Sequence, residues 1–500
     1  IPEHLQKGGG PITNEGAGGE VYHTLAYLAE SPFDAQELWT GADDGLLHIS
    51  RDGGENWQNI TPTGLGEGLI NCIELSTHQA GKAYLVFNRY KFNDFAPHIF
   101  VTEDFGATWT EVVKGIAPEA HVRVVRADPE RKGLLYAGTE TGLYLSYDDG
   151  AHWQAFQRNL PIVPITDLKV HQGDLIAATQ GRAFWVLDDL SPLRELDYRS
   201  LAERPASMYQ VRNPYLYGGP RRDSLPDRGA NPDFGAVIYY HLNMVADSLS
   251  GPAELHILDA AGSMIRAFSS AEKSPQKKLS AKGGLNKLVW NLRMPSVKPI
   301  PELLTLGGTA SYQVPPGSYQ ARLIYQGDTT IKDFEVMPDP RLNIETSAYL
   351  EKMALMEKLY QSQKEVFKAV KDMRHIKAQV QAFTARMDTT EQVQQKLKAQ
   401  GEAIVSEIDS LEKTMVQVQQ KTFQDVINFP NQIDAKIGHI LGTIDGSLPP
   451  LTSGQQTRAQ DVLDEWTAKE KVIDALLEDK VSAFDQSVRA ADIPYIGRRE

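Results

Sequence analysis

One cysteine in 500 residues, Cys72, leaves nothing for an internal disulfide to join. Its setting in the apolar run INCIELS reads as a buried thiol rather than a nucleophile. Long apolar runs are missing too: no stretch approaches the ~20 residues of a membrane-spanning helix. Basic charge is in deficit, with 51 Lys and Arg against 65 Asp and Glu and a net charge of −14. That balance excludes a general nucleic-acid binder, because phosphate contacts need clustered Lys and Arg. The usual chemical signatures are lacking as well: there is no HExxH, GxSxG, CxxC pair, GxxxxGK or strand-following GxGxxG. Neither a metal nor a cofactor is expected. The first residues, IPEHLQKGGG, show neither Met nor a signal-peptide pattern, which reads as a chain cut from something longer.

What the sequence does contain is repetition. SRDGGENW, TEDFGATW and SYDDGAHW share a hydroxyl residue, Asp two positions later, Gly two after that and Trp three further on. The reading is one turn used three times. Asp52, Asp104 and Asp148 accept hydrogen bonds from their own turn, and Gly54, Gly106 and Gly150 supply a positive φ. Trp57, Trp109 and Trp153 anchor the turn by burial. DGGEN has neither the ligand spacing nor the terminal Glu of an EF-hand loop, so calcium is not expected there.

The flanks repeat with the turns. Each octapeptide follows a strand and a hairpin, and the three Asp residues lie 52 and 44 positions apart. Such a period belongs to four-stranded propeller blades, which recur at ~40–50 residues. Blades are expected at residues 20–63, 68–114, 119–160 and 164–200. The last has lost the octapeptide and keeps only LDDLSPL.

The motif S/T-x-D-x-G-x-x-W resembles the Asp-box, or bacterial neuraminidase repeat, of sialidases, xyloglucanases and sortilin-type receptors. With ATQGRAFWVLDDLSPL and the domains C-terminal to it, the chain looks like the C-terminal half of large bacterial sortilin-like proteins often labelled glycosyl hydrolases. The resemblance implies a partial propeller, an extracytoplasmic bacterial location and a functional face opposite the Asp-boxes. One cysteine cannot build the cysteine-rich module of sortilin receptors. Four blades do not close such a ring, so missing N-terminal blades, from a longer parent chain or a companion fragment, are expected as partners.

Residues 205–235, rich in Gly, Pro, Asp and Arg, read as a connector. Short strands divided by turn signals over 236–340 give a β-sandwich of immunoglobulin-like type. Trp290 and Tyr319 alternate with leucines there and are read as core rather than as a sugar platform. Residues 341–500 switch to helical spacing and give a helical bundle or long hairpin, with a break at MDTT. Leu359, Val366, Val370, Val393, Leu397, Ile404 and Val418 lie on its apolar faces, and Trp466 and Phe484 on a third stretch. The fold class is therefore multidomain: mainly β, then all-α.

Chemistry is expected on the loops between the second and third strands of the blades. Asp43 and Asp44 precede Gly45 and read as a turn. The second blade alone lengthens this loop, to NRYKFNDFAPH, and Arg89, Tyr90, Lys91 and Asp94 are its binding candidates. His121 and Arg123 begin the third blade's innermost strand at the channel mouth. Arg182 is either an anion clamp or a structural pairing. Glu140 with Asp44 forms the weak candidate pair for glycoside hydrolysis, which needs two carboxyls at a set separation. The functional reading is peptide or glycan binding on this face. The rivals are a glycoside hydrolase sharing carboxylates with the missing blades, and a structural subunit of a surface or secretion assembly.

Overall fold

The computed structural model describes residues 24–197, 201, 203–217, 229–243, 251–304, 308–309, 311–387 and 390–491. Residues 20–23 of the first expected blade, 198–200 of the fourth, 218–228 of the expected connector and 388–389 of the MDTT break lie outside them. The chain divides into two units, Ile1–Asp197 and Tyr198–Glu500.

The first unit is a series of antiparallel meanders in which each strand pairs with the next. Blade one comprises β1 Leu25–Glu30, β2 Leu38–Ala42, β3 Leu47–Ser50 and β4 Gln58–Asn59. Blade two comprises β5 Leu69–Leu75, β6 Ala83–Asn88, β7 Ile99–Thr102 and β8 Thr110–Glu111. Blade three comprises β9 Val122–Ala127, β10 Leu135–Thr139, β11 Gly142–Ser146 and β12 Gln154–Ala155. Blade four has three strands, β13 Ile165–His171, β14 Asp174–Thr179 and β15 Phe184–Leu187. Antiparallel meanders repeated in series are the arrangement of propeller blades, so the fold is β-propeller-like.

Successive sheets pack through their faces, and the closest approaches demand small residues. A Cβ on Gly41 of β2 would lie 2.3 Å from Ile70 Cγ2 of β5, and one on Gly138 of β10 would lie 2.7 Å from Ile165 Cγ2 of β13. Each glycine is a notch for a β-branched side chain of the next blade. Apolar side chains fill the rest of these interfaces, Trp39, Leu47, Ile70 and Phe87 in one cluster and Val124, Tyr136, Leu145 and Leu168 in another.

The octapeptide turns share one hydrogen-bond scheme. Ser50, Thr102 and Ser146 donate to Oδ1 of Asp52, Asp104 and Asp148, at 2.8, 2.8 and 2.9 Å. The same hydroxyls accept from the N–H of Gly54, Gly106 and Gly150, at 2.8, 2.9 and 2.9 Å. Each Asp Oδ1 also accepts the backbone N–H of residue 56, 108 or 152, at 2.8 Å in all three. Hydrogen bonds to these carboxylates hold Asp52 and Asp104 below the usual carboxylate range. For Asp148, desolvation pushes upward and is overcome by the bonds from His152 and Ser146. The tryptophans differ. Trp109 and Trp153 reach back to the preceding blade, donating Nε1–H to the carbonyls of Ile60 and Val112 at 3.0 and 2.9 Å. Trp57, expected to be buried, is exposed and donates to its own Gly54 carbonyl, because no described blade precedes the first.

Backbone bonds separate the two ends of the blades. The Asp turns bond to the turn joining the first two strands, as in Gly53 N to Gln36 O, Phe105 N to Gly81 O and Asp149 N to Gly133 O. At the opposite end the turn between strands two and three bonds to the start of the innermost strand: Asp43 N to Thr24 O, Glu140 N to His121 O and Gln180 N to Pro164 O. Blade four replaces its outer strand with the helical turn Ser191–Arg194. From that turn, Arg194 Nε donates to both oxygens of the fully buried Asp128, each at 3.0 Å. Asp128 also accepts Tyr136 Oη at 2.9 Å and the N–H groups of Glu130 and Arg131, both at 2.9 Å.

The second unit holds two sheets around one core. Ala206–Met208, Ala236–Leu242 and Gly284–Trp290 form one; Tyr215–Leu216, Glu254–Asp259, Met264–Ser269, Gly317–Tyr325 and Asp328–Pro338 form the other. The expected connector is thus partly sheet, since its two short strands add to an edge of each. Pro and Gly around them conceal the strand pattern. Trp290 and Tyr319 are core, with ring centroids 5.7 Å apart. Helices complete the unit: α1 Thr346–Thr384, α2 Gln392–Met415, α3 Ile433–Asp445, α4 Ser453–Ala475 and α5 Ser482–Ala490. The sequence reading has no helix at α3, although Ile433, Ile437, Ile440, Leu441 and Ile444 form a buried stripe at helical spacing. Val393 and Val418, placed on apolar faces, are exposed near the ends of their helical run. Sandwich and bundle are tied together at the end of α3. Asp445 accepts from Arg293 and from the N–H of Gln313, and Lys352 Nζ donates to the carbonyls of Asp445 and Ser447 at 3.0 and 2.6 Å.

Asp128→Ala should destabilise the first unit by about 3 kcal/mol, because it strands Tyr136 Oη and two N–H groups and leaves Arg194 only its exposed partner Glu130. Urea unfolding followed through the blades measures it.

Candidate functional site

The lengthened loop of blade two is built to stand without a ligand. Arg89 and Asp94 form an isolated bridge, Tyr90–Phe92 makes one 3₁₀ turn and Asn93 closes it in the left-handed region at φ 59°. Asp94 accepts the N–H of Ala96 at 3.1 Å, and Arg89 Nη1 lies 3.5 Å from its Oδ2. Desolvation pushes the Asp94 carboxyl up, but the Ala96 N–H, His98 and Arg89 together hold it below its usual range. Arg89 Nε donates to the carbonyl of Glu67 at 3.0 Å, which ties the loop to the start of its own blade.

This loop meets blade three. The Tyr90 ring stacks on His121 with centroids 5.6 Å apart and planes 19° apart, and Phe95 lies 6.2 Å from the same imidazole. His121 is buried, and neither of its ring nitrogens has a hydrogen-bond partner. Nε2 sits 3.3 Å from Glu140 Oε2 without the alignment of a hydrogen bond. Arg123 holds that Oε2 through Nε at 2.7 Å and Nη2 at 2.6 Å. Behind it, Asn71 Nδ2 donates to the Arg123 carbonyl and Asn88 Nδ2 to Asn71 Oδ1 at 3.0 Å. The β6–β7 loop, the start of β9 and the β10–β11 turn thus place an aromatic lid, an imidazole and an arginine–carboxylate pair at one end of the blades.

Arg89, Tyr90, Asp94, His121, Arg123 and Glu140 are accordingly brought together. Lys91 is exposed on the loop. Arg182 is exposed on the blade-four turn, its Nη1 donating to the adjacent Gly181 carbonyl at 3.0 Å. Asp44 accepts the N–H of Leu46 at 3.0 Å and shapes the turn that ends in Gly45, at φ 90°. Asn71 escapes the sequence reading, although an asparagine interrupting an apolar strand is a visible signal, and Asn88 figures there only as the first residue of the loop. Phe95 figures there only as part of the loop. Among the described residues there is no group of three or more His, Cys, Asp or Glu able to hold a metal, and no helix is long and apolar enough to cross a membrane.

No protein-family model matches the chain, and no curated protein matches it. Several solved structures resemble it. YCF48 bound to D1 peptide shares 13% identity, with 62% of this chain and 81% of that one covered, at a TM-score of 0.27. YCF48 from Cyanidioschyzon merolae shares 12%, covering 64% and 85%, at a TM-score of 0.26. An ancestral GH74 enzyme shares 15%, with 49% of this chain covered but only 32% of the enzyme, at a TM-score of 0.27. These are β-propeller proteins.

Burial pushes the His121 imidazole below its usual value; Glu140 pulls the other way and Arg123 adds to the fall. An unfolded imidazole binds a proton below about pH 6.5. The folded one does so only at lower pH, so the unfolded state holds more protons in that window. Stability is therefore present above about pH 6.5 and is lost as pH falls. His121→Phe, which keeps the stacking, should remove this part of the pH dependence. Calorimetry of both proteins between neutral and mildly acid pH measures it.

Proposed function

We propose that this is an extracytoplasmic bacterial protein of the sortilin-like Asp-box type that binds a peptide or glycan at the end of the blades opposite the Asp turns. The observation that carries the reading is the exposed pair of rings, Tyr90 and Phe95, set over His121 beside the Arg123–Glu140 pair. An aromatic surface beside a partly accessible charged pair suits a ligand with an apolar face and a hydrogen-bonding edge, as sugars and peptides have. The pre-formed loop lowers the ordering cost of binding. In this reading the sandwich is immunoglobulin-like and, with the helical bundle, serves for spacing or docking. Further blades of the same repeat, the missing N-terminal ones or a companion's, complete the ring around the site.

Hydrolysis is the weaker reading. Glycosidases of the common kind set two carboxyl groups across the scissile bond. Glu140 is here held by Arg123, while Asp44 is engaged in its own turn. A second carboxylate would have to come from blades beyond these four.

Arg89→Ala with Tyr90→Ala should weaken ligand binding by roughly 30-fold or more, the loss of a hot spot worth about 2 kcal/mol. Thermal stability should fall by no more than about 2 kcal/mol, since Arg89 gives up Asp94 and the Glu67 carbonyl and Tyr90 its stacking on His121. Peptide and glycan arrays followed by titration of the best binder test this. A large loss of stability with unchanged affinity would show that the loop serves packing.

A further inference from the structure

The four blades repeat one joint, and both halves of that joint are left open at the two ends of the series. In every innermost strand a register shift marks the same place: Leu25/Tyr27 in β1, Ile70/Cys72 in β5, the step opposite Gly138/Thr139 in β9, and Ile165/Asp167 in β13. The residue before the shift and the one three further on point into the preceding blade. Ile70, Val122 and Ile165 are 0% exposed, and Ile73, Val125 and Leu168 are at most 2% exposed. Their equivalents in the first blade, Leu25 and Leu28, are each 65% exposed. Trp57 joins them, lacking the inter-blade carbonyl that Trp109 and Trp153 find.

The other end shows the complement. Opposite the notch Gly41 stands Leu47, and opposite Gly138 stands Leu143, both buried against the next blade. The corresponding pair in blade four is Ala178 and Phe184, with Ile176 and Val186 beside it on the same face. Phe184 is 76% exposed and Val186 52%. One end thus offers leucine knobs and the other an alanine notch walled by Phe and Val.

We propose that the occupant of these faces is a second copy of this chain, joined head to tail. Knob and notch meet at two of the three joints between the chain's own blades, Val86 standing in place of the glycine at the other, so a second copy needs no new chemistry. Two copies of four sheets make eight, within the roughly four to eight blades of closed propellers. Head-to-tail contacts of this kind close into a ring when the rotation permits. The proposal rests on the reading that further blades complete the ring, and it names the companion.

Light scattering on the full chain, across a wide range of concentration, tests it. Twice the chain mass of 55.5 kDa is expected. Leu25→Asp with Leu28→Asp, and separately Phe184→Asp with Val186→Asp, should each halve that mass while circular dichroism stays unchanged, since all four side chains are exposed in the single chain. Mixing the two variants should restore the double mass, because one knob and one notch remain intact between them. A wild-type chain that stays at single mass overturns the second copy and leaves other blades as the companion. Assembly untouched by either pair overturns the joint itself. Peptide or glycan binding by the variants, scored separately, reports on the ligand site and not on the joint.

Discussion

The geometry of the first unit depends on a three-centre arrangement in which a hydroxyl, a carboxylate and a glycine N–H hold each Asp turn closed. The hydroxyl donates to the Asp and accepts from the Gly, so neither group needs water to be satisfied, and the Asp also takes the amide four residues after it. With the turn fixed, the tryptophan at its end has one direction to go, toward the blade before it. Register within a blade and contact between blades are thereby set by the same eight residues. Because these turns bond to the strand one to two turns, the other end of each blade is left for loops of any length.

That freedom is used once, in blade two. The loop from Arg89 to His98 spends its polar groups on its own shape and on Glu67, and presents rings to the neighbouring blade. His121 is squeezed between this lid and the Arg123–Glu140 pair, so its neutral form follows from burial. The site is an inter-blade feature, built by two repeats that differ rather than by either alone.

Much of this was legible in the sequence because repeats expose positional roles. The recurrence of Asp52, Asp104 and Asp148 marked the turns, and the one lengthened hairpin marked the loop that reaches His121. The partners inside the site were less visible. Which strand faces which is a property of stacking, so Asn71 and Asn88 behind Arg123 could not be placed by spacing. Lys91 and Arg182 looked like the other cations but project away, since charge type carries no direction. Trp57 shares every local feature of Trp109 and Trp153 and differs only in what lies beside it. In the second unit the edge strands near Ala206 and Tyr215 were too short to show a period of two, whereas the stripe of α3, Ile433, Ile437, Ile440, Leu441 and Ile444, was legible at a period of 3.6 and was passed over.

The contacts around Asp445 have a thermodynamic consequence for the second unit. The carboxylate at the end of α3 binds Arg293 and Gln313 of the sandwich, while Lys352 of α1 caps the same helix end through its carbonyls. Separating the layers would break the Arg293–Asp445 pair and strip the Gln313 N–H of its acceptor at once. Sheet and helices therefore have no cheap plane along which to part. They should lose structure as a single cooperative body, with heat absorption that does not resolve into one event for the strands and another for the helices.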